Sequence, residues 1–360
     1  MIAVSSLLRR AVYPAMSRAG VFSRRVRAGE VCVLTYHGVL PVGWAAVQSP
    51  IEGALVSAEQ FRRQLRFLKS RYHLISPEAF HSWLKASDSL PQRAVLLTCD
   101  DGLRNALTDM VPILLEEGAR CLFFVTGASL ADTAECLWYE ELYHMFNDAP
   151  GDASVEVGGK AVRKDSRTSK DLVGIWWSLI QELSVLNGDD RKRSLRLMRT
   201  DWRLPDDWQM AEDEQAARRY QLLNCRELNQ LATQGMTVGA HTLSHPLLPK
   251  MSAELAEQEI RECKEALEAQ LQQEVWALAF PFGHEGSAGM REMTLAERAG
   301  YACAFLNHGG GRFGQRHSRF ALPRAHVTAN MNLPEFEAHL SGFHEALQRR
   351  FRGGGSSSCV

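Results

Sequence analysis

Two adjacent carboxylates, Asp100 and Asp101, follow the apolar run VLLTC, and Gly102 comes directly after them. The run is typical of a buried strand, and the glycine indicates that the chain turns into a loop at this point. A turn allows neighbouring acids to take different tasks at one site, such as general base catalysis and metal binding. The alternative is a polar turn in which an Asp caps the following helix.

A second cluster contains His241 and His245 in the segment GAHTLSHPLL, and Pro246 disfavours a helix through the pair. Two imidazoles four residues apart on a loop can bind one ion. Zinc and similar metals favour histidine nitrogen together with carboxylate oxygen, and three protein ligands leave one position open for water. One Asp and two His meet that count. Without a carboxylate at an equivalent strand end, two solvent-exposed loop histidines would be the simpler interpretation.

These residues need a scaffold that brings strand ends together. Apolar runs alternate with amphipathic helical stretches, which is typical of a largely parallel sheet with crossover helices. Strands are predicted at 31–36, 94–99, 121–127, 236–240, 275–280, 301–305 and 320–327, and long helices at 58–72, 106–117, 252–272 and 290–300. Parallel strands place their carboxyl ends at one edge, so the two acids and the two histidines are expected to meet there.

Three segments depart from this alternation. Residues 137–220 are rich in Trp, Leu and charge, with helical periodicity and no clear strand, and we interpret them as a helical insertion. Residues 1–30 form a basic leader with six arginines and no acid before Glu30. Residues 351–360 form a flexible Gly/Ser tail.

Composition restricts the partners and the location of the protein. The chain has 360 residues, 45% hydrophobic and 23% charged, with a formal net charge of -1, so it is globular and no nucleic-acid partner is expected. Its eight cysteines form no CxxC pair, which indicates buried thiols in a reducing compartment.

The sequence shows no signal peptide and no apolar segment of the roughly 20 residues that a spanning helix needs. The basic leader is either solvated or loosely docked, or it makes peripheral contact with an anionic membrane surface. We therefore expect a cytoplasmic protein or one peripheral to the inner membrane surface.

Three motifs occur in order: TCDDG, AHTLSH and AFPFG. Together they resemble the polysaccharide deacetylase family, the nodulation-protein-B-like carbohydrate esterases, whose pattern is TFDDG, HSxxH or HTxxH, and RxPYG. The resemblance covers 94–327, and the leading segment VLTYHGV resembles members associated with bacterial exopolysaccharide synthesis. It implies an α/β fold, a distorted (β/α)7 barrel over 31–350 that carries the helical insertion. It also implies a divalent metal, with zinc first among the candidates, and hydrolysis of N-acetyl groups on an amino-sugar glycan.

The resemblance also implies roles for individual residues. By motif position Asp100 is the general base, and the metal ligands are Asp101, His241 and His245. A backbone N–H would hold the oxyanion in the loop formed by Pro281, Phe282 and Gly283.

Two positions differ from the family pattern. Ala279 replaces the arginine that pairs with the base, and Phe282 replaces a tyrosine, which leaves a backbone donor but removes a phenol. In FALPRAHV, Arg324 and His326 share one face of a strand. If that face is inward, Arg324 would orient Asp100 and His326 would give a proton to the leaving amine; alternatively, Arg324 caps a loop or lies in solvent.

His37 ends the first strand on the same expected edge, and we predict that it lines the site. Three function classes remain open. The first is a metal-dependent enzyme that acts on non-peptide carbon–nitrogen bonds of an N-acetylated glycan. The second is a non-catalytic glycan-binding relative, and the third is a deacylase of a small non-sugar amide. The intact acid pair and histidine pair favour the first.

Overall fold

The structure is a computed structural model that describes residues 7–44, 51, 54–86, 88–157, 160–164 and 169–352. The ends of the predicted leader and tail, 1–6 and 353–360, lie outside the described residues.

The strands of the described chain form one large sheet and one hairpin. They are β1 Glu30–Tyr36, β2 His73–Ile75, β3 Ala94–Cys99, β4 Cys121–Val125, β5 Ser154–Val157, β6 Lys160–Arg163, β7 Thr237–Ala240, β8 Ala277–Ala279, β9 Cys303–Gly309, β10 Arg312–Gly314 and β11 Leu322–His326. In the order β1-β11-β9-β8-β7-β4-β3, neighbours pair in parallel.

The parallel sheet closes because β1 also pairs with β3, from Val31 opposite Ala94 to Tyr36 opposite Cys99. The prediction of a distorted (β/α)7 barrel is therefore confirmed, and each of the seven predicted strands overlaps one barrel strand. Two short strands of this large sheet were not predicted: β2 pairs with β3, and β10 pairs antiparallel with β1.

Helices surround the barrel and fill the loops. The α-helices of the described residues are α1 Tyr13–Arg18, α2 Ala58–Arg71, α3 Pro77–Leu84, α4 Val111–Glu116, α5 Trp138–Asp148, α6 Ser169–Leu183, α7 Gly188–Asp201, α8 Glu214–Tyr220, α9 Cys225–Thr233, α10 Ala253–Leu271, α11 Met290–Arg298, α12 Leu333–Leu340 and α13 Phe343–Arg352. The predicted helix at 106–117 starts as a π-helical segment, Ala106–Met110, before α4.

Alternation along each barrel strand explains where the polar site forms. One set of alternating side chains, which includes Leu96, Leu122 and Leu322, belongs to an apolar cluster shared by the barrel strands. Two residues further along β11 the same face carries Arg324, whose guanidinium carbon lies 5.2 Å from the ring centre of Phe124. The strands therefore place apolar side chains first and polar side chains towards their carboxyl ends.

The segment 137–220 contains α5 to α8 and packs around an apolar cluster that includes Leu142, Ile180 and Trp202. It also contains the antiparallel hairpin of β5 and β6, whereas the sequence showed no clear strand there. Each of these strands has four residues, which is too short for a period of two to be distinguished from other patterns.

The described part of the leader packs onto the barrel rather than extending into solvent. Tyr13 and Phe22 are buried against Ala338 and Phe343 near the other end of the chain. None of the helices described in the structure is long and apolar enough to cross a membrane. The cysteines that the structure describes are all free thiols.

Candidate functional site

Asp100 lies directly after β3 and is held by Arg324 of β11. Both Asp100 oxygens accept hydrogen bonds from the guanidinium, with Nη1–Oδ1 and Nη2–Oδ2 distances of 2.6 Å. Arg324 also donates to Thr98 Oγ1 and to the Leu306 carbonyl. Burial raises the pKa of Asp100, but the charges of Arg324, His241 and His37 and the Arg324 hydrogen bonds together outweigh it, so the pKa lies below its usual value. The bidentate pair therefore keeps a buried carboxylate ionised and fixed in orientation.

Asp101 faces a different set of partners. Its Oδ1 lies 3.4 Å from the Nε2 atoms of both His241 and His245, and ligand atoms of the three residues lie within 4.8 Å of one another. All three side chains are buried. His241 Nδ1 lies 2.7 Å from the Ala279 carbonyl oxygen, so the ring donates there and leaves Nε2 free to bind a metal. The cluster has the donor set and the ligand count of a catalytic zinc site.

The charges in this centre also suit a cation. Arg324 balances Asp100, whereas Asp101 has no Lys or Arg partner within the described ranges. Burial raises the pKa of Asp101, but its imidazole neighbours lower it by a larger amount. The pKa therefore lies well below the usual value. Burial lowers the pKa of His241, but the two carboxylates raise it above its usual value. A divalent metal would compensate the same negative charge and displace that proton.

Backbone strain is concentrated in the site loops. Four residues other than glycine have positive φ beside the acid and histidine pairs: Asp101 at 77°, Thr242 at 65°, His245 at 53° and Phe282 at 61°. Such backbone conformations cost free energy, and they persist where surrounding contacts hold them. Thr242 Oγ1 accepts a hydrogen bond of 3.1 Å from the His245 N–H and closes the histidine loop.

The loop at 281–283 offers fewer oxyanion donors than expected. Pro281 has no N–H, and the Gly283 N–H donates to the Pro281 carbonyl at 2.7 Å. Within the described residues the Phe282 N–H has no backbone acceptor. Of the three expected residues, only Phe282 therefore keeps a backbone donor available.

His37 and His326 lie beside Asp100 at the carboxyl ends of β1 and β11, with ring centres 4.9 Å apart. Burial, and then the charge of His37, lower the pKa of His326 to about 3. Its Nδ1 lies 2.9 Å from Asn307 Nδ2, so the ring accepts a hydrogen bond from that amide. His326 is therefore an uncharged imidazole at neutral pH, and its role as proton donor to the leaving amine stays a prediction.

These groups line a cavity of about 190 Å³ that sequence reasoning described only in part. Its other walls include Tyr139 from α5 and Trp176 and Trp177 from α6, together with Asn307. None of these residues lies in a motif. The Trp and Tyr content of 137–220 was visible in the sequence. The approach of these side chains to Asp100, 39 to 77 positions away in the chain, was not.

Two buried charged residues also hold the histidine loop through contacts with Ser244. Arg191 of α7 donates to the Ser244 carbonyl at 2.9 Å and to Ser244 Oγ at 3.0 Å. Glu259 of α10 accepts from the Ser244 N–H at 2.8 Å and from its hydroxyl. Ser244 directly precedes His245, so the insertion and a barrel helix together fix the position of that histidine.

Substituting Arg191 by Met is expected to weaken Zn²⁺ binding by about 10- to 100-fold, because supporting contacts of metal ligands commonly have effects of this size. Titration of metal-free protein with Zn²⁺ measures the affinity. Lys192→Met is the control, since Lys192 is exposed and pairs with Glu135. Equal zinc affinities of the wild type and Arg191→Met would contradict a positioning role for Arg191.

Comparisons with known proteins agree with the motif interpretation. The model of the family "Polysaccharide deacetylase" matches residues 211–304. The matched segment includes His241, His245 and the 281–283 loop. No curated protein matches the chain at a significant level.

Solved structures of deacetylases share the fold. The Streptococcus pyogenes deacetylase PplD, solved with acetate, has a TM-score of 0.54 at 18% identity, covering 87% of this chain and 99% of that chain. IcaB from Ammonifex degensii has a TM-score of 0.53 at 16% identity, covering 88% and 98%. A de-N-acetylase from Aggregatibacter actinomycetemcomitans has a TM-score of 0.54 at 12% identity, covering 86% and 99%. The predicted resemblance to polysaccharide deacetylases is therefore confirmed over 211–304, and the fold is shared with solved deacetylase structures.

Proposed function

We propose that this protein is a metal-dependent hydrolase that removes N-acetyl groups from an amino-sugar glycan of the exopolysaccharide type. The observation that carries the proposal is the juxtaposition of two buried units. The Asp101–His241–His245 cluster offers a metal three ligands, and Asp100 lies beside it as a carboxylate fixed by Arg324. One unit suits activation of a carbonyl and the other suits removal of a proton.

The donor set favours zinc among the divalent metals, with Asp101, His241 and His245 as ligands. When bound there, the metal would polarise the acetyl carbonyl and lower the pKa of water. The remaining steps fall to side chains and backbone of this chain.

Asp100 is assigned the general base. It takes a proton from the water whose oxygen attacks the acetyl carbon, and the Phe282 N–H donates to the oxygen that gains negative charge. The carbon–nitrogen bond then breaks, the leaving nitrogen takes the proton that Asp100 has acquired, and acetate and a free amino sugar result. Asp100 is assigned this transfer because it already holds the proton taken from water.

The other predicted site residues take supporting roles in this proposal. His37 and His326 line the cavity beside Asp100 and offer ring nitrogens to the substrate. Arg324 is a positioning residue that acts through Asp100. The catalytic unit is proposed to span 31–350, with 137–220 as its insertion.

Acetate release from N-acetylated glucosamine oligomers, with and without a chelator, tests the proposal. One divalent ion per chain should copurify, and chelation should abolish release until Zn²⁺ is restored. Asp101→Ala and His241→Ala should lose the ion, whereas the control His284→Ala should keep it, because His284 is exposed and outside the cluster.

Two results would contradict the proposal and indicate a different function. Metal binding with glycan binding and no acetate release would indicate a non-catalytic glycan-binding relative. Acetate release from small amides but from no saccharide would indicate a deacylase of a non-sugar substrate.

We also propose that the protein acts in the cytoplasm or at the inner surface of the membrane, through its basic leader. Arg10, Arg18 and Arg24 are exposed, and no ion-pair partner for them occurs among the residues that the structure describes. Such arginines suit an anionic lipid surface.

A further inference from the structure

The residues assigned to metal binding and catalysis are almost completely buried. Asp100, Asp101, His241 and His245 are each at most 4% exposed. The cavity that they line, about 190 Å³, is smaller than the roughly 300–1,000 Å³ of pockets that bury a drug-sized ligand. It has room for an acyl group and the sugar that carries it, rather than for several sugars in a row.

Aromatic side chains form a roof over this cavity, which we define as Tyr139, Trp176, Trp177 and Phe282. The Tyr139 ring centre lies 5.0 Å from that of the ligand His245 and 5.6 Å from that of Phe282. Trp177 packs edge-on against Phe282 at 5.7 Å. The roof therefore joins the insertion directly to a metal ligand and to the loop with the oxyanion donor.

Further contacts hold the roof in place. Trp176 Nε1 donates to the Tyr139 carbonyl at 2.8 Å, and this bond links α6 to α5. The Trp138 indole N–H donates to the His245 carbonyl at 3.0 Å, which ties α5 to the histidine loop. Aromatic rings held in this way offer flat apolar faces to a sugar ring.

A larger groove of about 930 Å³ lies between the insertion and the barrel, but it does not provide an alternative path through the site. Among the described residues, His245 is the only one that lines both the groove and the cavity. Asp100 and Asp101 do not line the groove. A glycan that followed the groove would therefore pass beside the site without presenting its acetyl groups to the base.

Within the proposed function, we infer that the aromatic roof limits the substrate to an acetamido sugar at the end of a saccharide, or to a monosaccharide or short saccharide. A sugar inside a polymer continues on both sides and needs a groove that is open at two ends. A terminal sugar has one connection, so the cavity that holds it needs to be open on one side only. The chemical class is a terminal N-acetylated amino sugar, free or carried on a larger group.

Fully N-acetylated glucosamine oligomers, from the monomer to the hexamer and in β-1,4 and β-1,6 linkage, test the inference. The wild type should release at most one acetate per oligomer, whatever the length of the oligomer. Mass-spectrometric sequencing should place the free amine on a terminal sugar. Trp177→Ala should release several acetates per hexamer, from interior sugars as well, because it removes one wall of the roof. It should also raise KM for the monomer more than it lowers kcat.

Trp208→Ala is the matched control, since Trp208 lies in the same insertion, is partly buried like Trp177, and lines the groove rather than the cavity. It should give the wild-type product pattern. Circular dichroism and zinc content check that each variant is folded and loaded.

Deacetylation of interior sugars by the wild type would overturn the inference and leave the proposed function intact, and it does so whether or not Trp177→Ala folds. Terminal products from a folded Trp177→Ala would show that the roof is not the limiting feature and would also overturn it. Failure of the zinc-loaded wild type to release acetate from any saccharide would instead overturn the proposed function.

Discussion

Asp100→Asn is expected to reduce acetate release by about 10²- to 10⁴-fold while the protein keeps its metal, because a positioned general base contributes about this much to a rate. The amide preserves the shape of the side chain but cannot take a proton from water. The three ligands Asp101, His241 and His245 remain in place. Steady-state kinetics with quantified acetate measure the effect, and metal analysis of the same preparation measures occupancy.

The control for Asp100→Asn is Asp206→Asn, on an exposed residue of the insertion. The substitution also leaves the buried Arg324 charge without its partner, which can lower stability. Thermal melting therefore establishes the folded fraction at the assay temperature, and the rates are compared per folded molecule. Turnover within about threefold of wild type in a folded, metal-loaded Asp100→Asn would exclude Asp100 as the base and direct attention to His37.

Arg324→Met is expected to lower turnover at neutral pH and to move the acid limb of the pH–rate profile upward. Burial alone raises the pKa of Asp100, and the Arg324 guanidinium is the largest of the charges that offset this effect. Without the guanidinium the pKa of Asp100 rises. A base works in its ionised form and loses activity as pH falls through its pKa, so a higher pKa shifts that loss to higher pH.

Stability should also fall in Arg324→Met, by about 3–5 kcal/mol, because one partner of a buried ion pair is left alone. Arg324→Lys should recover only part of the activity, since an ammonium cannot repeat the bidentate contact. Arg316→Met, on an exposed residue, is the control. An unmoved acid limb with normal turnover in Arg324→Met would show that Arg324 does not set the charge state of the base.

The predictable part of the fold rests on local patterns. Runs such as AVLLTC and CLFFV are apolar, short and bounded by turn residues, so their strands were predicted at 94–99 and 121–127 and lie at Ala94–Cys99 and Cys121–Val125. The hairpin of β5 and β6 was missed because four residues carry too little periodicity. The short strand β2 was missed for the same reason, with three residues.

The packing of the leader also could not be predicted from local patterns. Its arginines and short apolar stretches are compatible with a solvated segment, a docked segment or a membrane-surface helix. Tyr13 and Phe22 are buried because α12 and α13, more than 300 residues later in the chain, bring Ala338 and Phe343 against them. No local pattern in the leader identifies that partner.

The sequence by itself identified the residues of the candidate centre and the strands that carry them. The acid pair, the histidine pair and the 281–283 loop are short motifs, and motifs name residues through local spacing. Period-two alternation on β11 placed Arg324 and His326 on one face and left two orientations of that face open. Sequence information of this kind reaches a few residues along the chain.

Tertiary structure alone decided which distant side chains complete the site. Closure of the barrel places β1 between β11 and β3, and that closure puts Arg324 on Asp100, 224 positions away. The aromatic roof and the Arg191–Ser244 contact likewise depend on how the insertion folds back over the strand ends. The physical reason is that burial and charge pairing act between surfaces in three dimensions, and the sequence spacing of those surfaces follows no local period.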